Sequence, residues 1–229
     1  MKKFSIIFAS AFILFTCFTT SVSANVAYSW ASRIGGTSTD ISYSFYVDAS
    51  GNSYTVGYFA GTVDFDPGAG TAELTSTGSD DAFILKLDSS GAYVWAKQVG
   101  GTLADSAYSM YMDSSNNVYI TGYFQGTVDF DPGVGTAELT SAGSLDSFIL
   151  KLDSSGAYVW VKQIGNENTD ASNQLYFNDG NVYVVGGFAG TVDFDPGVGT
   201  AELTSAGSFD AFILKLDSSG TYVWAKNLG

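Results

Sequence analysis

Six aspartates have the best claim to chemistry in this chain. Asp64 and Asp66, Asp129 and Asp131, and Asp193 and Asp195 stand at i and i+2 within the repeated phrase VDFDPGxGT. In an extended segment that spacing points both carboxylates to one side and turns Val63 and Phe65 to the other. Two carboxylates beside exposed turn carbonyls are the oxygen ligands a hard cation such as Ca²⁺ selects, so these six are the candidate metal ligands. A plainer use competes: the second Asp caps the turn, and the first is solvated or hydrogen-bonded. The EF-hand pattern of alternating oxygen ligands with a distal Glu is missing. Asp66-Pro67-Gly68 fits a type II turn, with Pro at i+1 and Gly at i+2.

The remaining side chains exclude more than they offer. Histidine is absent, which removes Ser-His-Asp and Cys-His constellations and the commonest zinc ligand. The serines and threonines therefore have no base to activate them. No Walker loop occurs, and the glycines sit at turns. A carboxylate pair could serve a glycosidase, but any such pair here recurs three times. An active site normally breaks the symmetry of its scaffold. No catalytic residue is assigned, the chain is not read as an enzyme, and calcium is the one cofactor suggested.

The element that must position the aspartates is a unit of about 65 residues, present three times. Trp30, Trp95, Trp160 and Trp224 open WASRIGG, WAKQVGG, WVKQIGN and WAKNLG, at steps of 65, 65 and 64 residues. GTVDFDPGVGTAELTSAGS fills both 126–144 and 190–208, and FILKLDSSGAYVW fills both 83–95 and 148–160. Self-similarity at fixed period marks a repeat architecture. In the second copy SAYSMYM and VYITGYF flank a Ser-Asn-Asn turn, and SFILKL and YVWVKQI flank Asp153-Ser154-Ser155-Gly156. Each unit is thus two hairpins, four strands. FILKL is almost continuously apolar, so both of its faces must be buried, which a sheet with one wet face does not allow. Four-stranded sheets stacked about an axis satisfy that demand, and the expected fold is all-β with β-propeller-type blades. A β-solenoid competes, but its coils are shorter and have fewer hairpins.

The repeats fall at about 36–100, 101–165 and 166–229, after an extra outer strand at 26–34, thirteen strands in all. The link GGTxxD, ending at Asp105, carries the chain from an outer strand to the next inner one. Lys86, Lys151 and Lys215 interrupt the third strands and are expected to pair across blades with Asp81, Asp146 or Asp210. Tyr46, Tyr111 and Tyr176 fall on the channel-lining first strands. They could stack on a sugar, but packing between blades is expected of them and of the tryptophans.

The combination GNxYxxGxF, DFD and DAFILKLDSSGxYVWAKxxGG resembles the bacterial seven-bladed β-propeller repeat family. The resemblance covers residues 26–229 and implies an exported, blade-forming protein. Members occur in varied extracellular proteins, so it carries no catalytic residue across. Blade number departs from the family, because a closed propeller normally has at least four blades. The expectation is an incomplete or open propeller: a fragment of a larger ring, or an arc that pairs with another copy to make six blades.

Residues 1–24 read as a signal peptide: Lys2-Lys3, an apolar run from Phe4 to Phe18, then Val22-Ser23-Ala24 before the cut. The run is too short to span a bilayer comfortably, and no later segment approaches the ~20 residues needed. The lone cysteine, Cys17, leaves with the peptide, so residues 25–229 carry no thiol. Losing Lys2 and Lys3 but no acid changes 9 basic against 23 acidic residues to 7 against 23, a net charge of −16. Such a surface repels phosphate backbones, so nucleic acid is excluded as a partner.

The expected protein is secreted or cell-surface, a non-catalytic β-propeller scaffold or binding module for adhesion or cell-envelope contact. Its ligand would be a protein or a glycan. The alternatives are the propeller portion of a secreted enzyme, with catalytic residues elsewhere, and a calcium-dependent carbohydrate binder. Self-association through open blade faces is also expected, exposing Phe83, Leu85 and Leu87 at one end and Phe212, Leu214 and Leu216 at the other.

Overall fold

The computed structural model describes residues 30–229. The leader at 1–24 and the start of the expected extra strand lie outside the described residues. The first unit folds as one antiparallel sheet, β1 (Asp40–Val47), β2 (Ser53–Asp64), β3 (Glu73–Leu87) and β4 (Tyr93–Val99), in that order. The second comprises β5 (Ser106–Met112), β6 (Val118–Phe124), the short pair β7 (Thr127–Asp129) and β8 (Glu138–Thr140), β9 (Asp146–Leu152) and β10 (Tyr158–Ile164). The third repeats this with β11 (Ala171–Asn178), β12 (Asn181–Phe188), β13 (Thr191–Asp193), β14 (Glu202–Thr204), β15 (Asp210–Asp217) and β16 (Tyr222–Leu228). Blades two and three have the order β5-β6-β9-β10 and β11-β12-β15-β16, so the propeller-type blades expected from the sequence are present.

Sixteen strands replace the expected thirteen, for two reasons. The GTVDFD and AELT segments pair with each other, as β7–β8 and β13–β14, and as extensions of β2 and β3 in blade one. Residues 30–34, expected to be strand, form no ladder. A strand exists only through a hydrogen-bonded neighbour, and among the described residues none lies beside them.

The blades stack through two faces of opposite character. One face of blade one carries Tyr54, Val56 and Ile84, which share a core with Met110 and Met112 of blade two. One step on, Tyr119 and Ile149 of blade two meet Leu175 of blade three, with Phe177 packed against them. Rings of Tyr119 and Phe177 stack at 4.8 Å. The expected burial of FILKL on both sides follows directly, since alternate residues serve the two junctions. Tyr46, Tyr111 and Tyr176 do pack between blades, edge-on at 5.6 and 4.8 Å.

The same parity corrects the expected free faces. Phe212, Leu214 and Leu216 are fully buried, because in every copy these residues face the preceding blade. The uncovered face of blade three is instead the Tyr183, Val185 and Ile213 side. Phe83, Leu85 and Leu87 lie on the face of blade one with no preceding blade, yet they too are largely buried.

Candidate functional site

The DFD phrases occupy the tips of the three outer hairpins. Phe65 drives each tip to form: it is buried against Phe59 and Phe83, at 5.3 and 5.2 Å between ring centres, and anchors the loop to its blade. Its backbone N–H donates to the Ala72 carbonyl, closing the loop at 3.0 Å. Asp64 Oδ1 accepts the N–H groups of Asp66 and Ala72 at 3.0 and 2.8 Å. Asp66 Oδ1 accepts the Gly68 N–H at 2.7 Å. Asp129 and Asp131, and Asp193 and Asp195, repeat these bonds. Both carboxylates of a pair therefore turn into one loop, as the spacing suggested, and one oxygen of each organises its backbone.

The expected type II turn is not formed. Gly68, Gly133 and Gly197 lie outside the left-handed region that position i+2 requires. The carboxylate of the preceding Asp supplies the bend, as an Asx turn. The donors around Asp64 hold its carboxyl below the ordinary carboxylate range, the Ala72 N–H first and the Asp66 N–H second. Among the described residues no three acidic side chains converge as metal ligands would. The tip is held by these hydrogen bonds yet bare: Val134 and Val198 project wholly into solvent, with relative exposures of 107% and 108%. Ala69 takes that place in the first copy.

A second set of aspartates was only half visible in the sequence. Asp105 and Asp170 each close a crossover between blades, and Asp40 closes the equivalent turn ahead of blade one. Asp105 Oδ2 accepts the Gly101 N–H at 2.7 Å and Oδ1 accepts the Gln125 N–H at 3.0 Å, while its own N–H reaches the Asp80 carbonyl of blade one. Asp170 does the same with Asn166, Ala189 and Leu145. Burial pushes the Asp105 carboxyl up to about 7, opposed by those N–H donors, with the neighbouring charge of Asp81 adding to the rise. Asp81 and Asp146 are raised by burial as well. The GGTxxD spacing was the available signal: glycine is needed at position 100 because a Cβ there would strike the Asp81 carboxyl group.

Asp81 and Asp146 do not pair with the lysines as expected. Their Oδ2 atoms accept the Thr77 and Ala142 N–H groups and the side-chain amides of Gln98 and Gln163. Lys86, Lys151 and Lys215 lie instead over the rings of Tyr54, Tyr119 and Tyr183, at 5.0, 4.9 and 5.4 Å. A half-buried ammonium is better served there, because a ring face attracts it without burying a second ion.

Rigid four-stranded blades, repeated with their loops intact, define a β-propeller-repeat scaffold. Comparison agrees: residues 94–123 match the beta-propeller repeat family, spanning the end of one copy and the first two strands of the next. The resemblance read from the sequence therefore holds. The chain is similar to an uncharacterized WD repeat-containing protein of Acanthamoeba polyphaga mimivirus, 31% identical over 247 aligned positions, covering 91% of this chain and 17% of that protein. It is also similar to the regulatory protein FlaEY of Caulobacter vibrioides, 27% identical over 143 positions, covering 62% of this chain and 15% of that one. The chain spans about a sixth of the length of these relatives.

Proposed function

We propose that this chain is an exported, non-catalytic binding module whose three hairpin tips form a multivalent contact surface for a cell-envelope or extracellular protein. One observation carries the reading. Each tip is a loop fixed by carboxylate and backbone hydrogen bonds that spends its rigidity on presenting a bare small aliphatic residue, Ala69, Val134 or Val198, among acids. Preorganised loops lose little entropy on binding. Three equivalent tips on one scaffold raise the effective concentration of the second and third contacts. A basic surface with small apolar depressions is the complementary partner.

Retention of the purified chain on isolated cell envelopes tests this. The double variant Val134→Asp, Val198→Asp is expected to lower apparent avidity by at least about tenfold, because two of three linked contacts are lost. Its melting midpoint should not move, since neither residue touches the core. Unchanged retention, or retention lost only together with folding, would overturn the tips as the contact. Secretion in a bacterial host with Asn25 as the new N-terminus is expected; a retained Met1 would remove the export half of the proposal.

A calcium-assisted version of the same binding is favoured by a specific feature. Asp64 lies directly opposite Glu73 across the hairpin, as Asp129 does opposite Glu138 and Asp193 opposite Glu202. Like charges placed opposite each other destabilise a ladder unless something neutralises them.

A further inference from the structure

The two ends of the blade stack present the two halves of one interface, and that interface is already built twice inside the chain. In both internal junctions a face of the type Tyr54, Val56, Ile84 receives a face of the type Met110, Met112 from the next blade. At the blade-one end Phe45 and Val47, the equivalents of Met110 and Met112, are uncovered together with Ile41, Phe45 to 75%. Ile41 and Phe45 border an apolar groove of about 380 Å³ that also reaches Phe59, Phe83 and Leu85. At the blade-three end the receiving equivalents of Tyr54, Val56 and Ile84, namely Tyr183, Val185 and Ile213, are uncovered, Val185 to 38%.

The outer part of the blade-one face is nevertheless occupied, by the chain itself. Trp30 lies over Gly91 so closely that a Cβ there would meet its ring at 2.8 Å. Trp95 lies over Gly156 and Trp160 over Gly220 in the same way. Gly36 donates its N–H to Asp40 Oδ2 at 2.7 Å, as Gly101 does to Asp105. Residues 30–36 thus follow the path that β4 and its crossover take between blades one and two. They sit in the seat of a fourth strand, without the other three. This explains the burial of Phe83, Leu85 and Leu87 beside an exposed Phe45: only the outer strand of the neighbouring blade is represented.

We infer that a second copy of this chain docks its blade three onto this blade-one face, and that residues 30–34 are a removable cover over the outer part of that seat. Two strands cannot share the seat. β16 of the incoming copy is laddered along its length to β15, whereas residues 30–34 form no ladder with any of the described residues, so the cover is what leaves. Sequence makes the exchange nearly neutral in contacts, since WASRIG gives way to WAKNLG. Trp224 of the partner copy then lies over Gly91. Two copies related by a twofold axis form two such junctions at once and close into six blades, within the ordinary range for propellers. The charge of −16 on each processed copy opposes approach but is screened within about 8 Å at physiological salt.

The internal junctions also supply a covalent reporter. Ser44 Oγ accepts the Met110 N–H at 3.4 Å, and Ser109 Oγ accepts the Leu175 N–H at 3.1 Å. The next pair in this series is Gln174 of one copy with Phe45 of the other. Residues 25–229 contain no cysteine, so Phe45→Cys with Gln174→Cys reports this contact alone.

The test is mass measurement by sedimentation equilibrium on residues 25–229, on Trp30→Ala in that chain, and on a chain starting at Gly36. Loosening or removing the cover is expected to tighten dimerisation at least about tenfold, equivalent to about 1.4 kcal/mol. Val185→Asp, on a face that no blade of its own chain covers, should return every form to monomer. Oxidation of the double-cysteine chain should give a covalent dimer and no longer ladder. Monomers throughout at 100 μM would overturn the proposal, as would a ladder of open oligomers. Association indifferent to Trp30 would overturn the cover.

Discussion

The same side chain does opposite work in two regions of each blade. At the hairpin turns and tips, Asp64, Asp88, Asp153 and Asp217 are ringed by N–H or hydroxyl donors and held below the ordinary carboxylate range. The Ser155 hydroxyl leads for Asp153 and the Ala72 N–H for Asp64. At the crossovers, Asp105 and Asp170 also accept two N–H bonds each, yet burial overrides them and raises both. Donor count is therefore not what separates the sets. Access to water is: a carboxylate at the rim keeps its hydration along with its donors, whereas one pressed between blades exchanges hydration for donors and comes out behind.

The largest effects should come from disturbing the crossover set. Gly100→Ala puts a methyl group into the Asp81 carboxyl, which Gln98 and Thr77 hold in place. A loss of about 2–3 kcal/mol in urea unfolding is expected, the upper part of the range for overpacking. The matching change at a tip, Gly133→Ala, faces only Asp131 Oδ1 at 3.0 Å and should cost less than half as much. Equal costs would break the contrast between the two regions.

Next comes pH. Folded Asp105 keeps its proton up to about 7, while the unfolded chain loses it near 3.9. Between those values the folded state binds more protons, so stability falls as pH rises through that window. The expected loss is on the order of 3 kcal/mol from pH 4 to pH 7 in chemical denaturation. Asp105→Asn should flatten this slope while lowering stability throughout, since its amide cannot accept both the Gly101 and Gln125 N–H bonds. A chain more stable at pH 7 than at pH 5 would put the burial argument in doubt.

The all-β class and the four-stranded blade type were legible because FILKL and its flanking turns carry period and parity in the letters themselves. Parity did not reveal direction. Nothing in Phe212, Leu214 and Leu216 says that they face the preceding blade, and only the stacked sheets fix that. The Lys86 contact was missed because a lysine inside an apolar strand suggests a carboxylate, and Tyr54 lies on a different strand with no marker of its role. The Asp64 loop was read correctly as to side and hydrogen bonding. Capping by Asp66 was one of the readings, but the type II turn was wrong, because Pro67-Gly68 suits either bend equally well. The crossover acids were visible as letters, but their burial depends on a neighbouring blade that sequence pattern does not place.

Smaller effects are expected at the turns. Asp153→Ala removes the acceptor for the Ser155 and Ala157 N–H groups at an exposed site, and about 1 kcal/mol should be lost. Because the folded carboxyl lies below its unfolded value, its contribution is present above pH 4 and fades as pH falls through the folded value. Acid denaturation of Asp153→Ala should therefore be shallower than that of the unaltered chain. Identical acid limbs would show that the turn acids contribute nothing to the contrast.

The smallest expected effect belongs to calcium at the tips. One oxygen of Asp64 and one of Asp66 already accept N–H donors, which leaves a cation the second oxygen of Asp64 and the Glu73 carboxylate opposite it, two acids rather than three converging ligands. Two acids, with one Asp64 oxygen already committed to N–H donors, form a poor cation site, so occupancy should need millimolar Ca²⁺, as weak extracellular sites do. At a concentration equal to such a dissociation constant, mass action stabilises the native state by about 0.4 kcal/mol per hairpin. A rise of a degree or two in the melting midpoint is expected, reversed by EDTA and abolished by Glu73→Gln, Glu138→Gln and Glu202→Gln together. The same triple variant should raise the midpoint without calcium, because it relieves three cross-strand repulsions. A chain indifferent to both treatments would leave the tip carboxylates with the backbone alone as their partner. The rim and crossover sets would then differ only in their access to water.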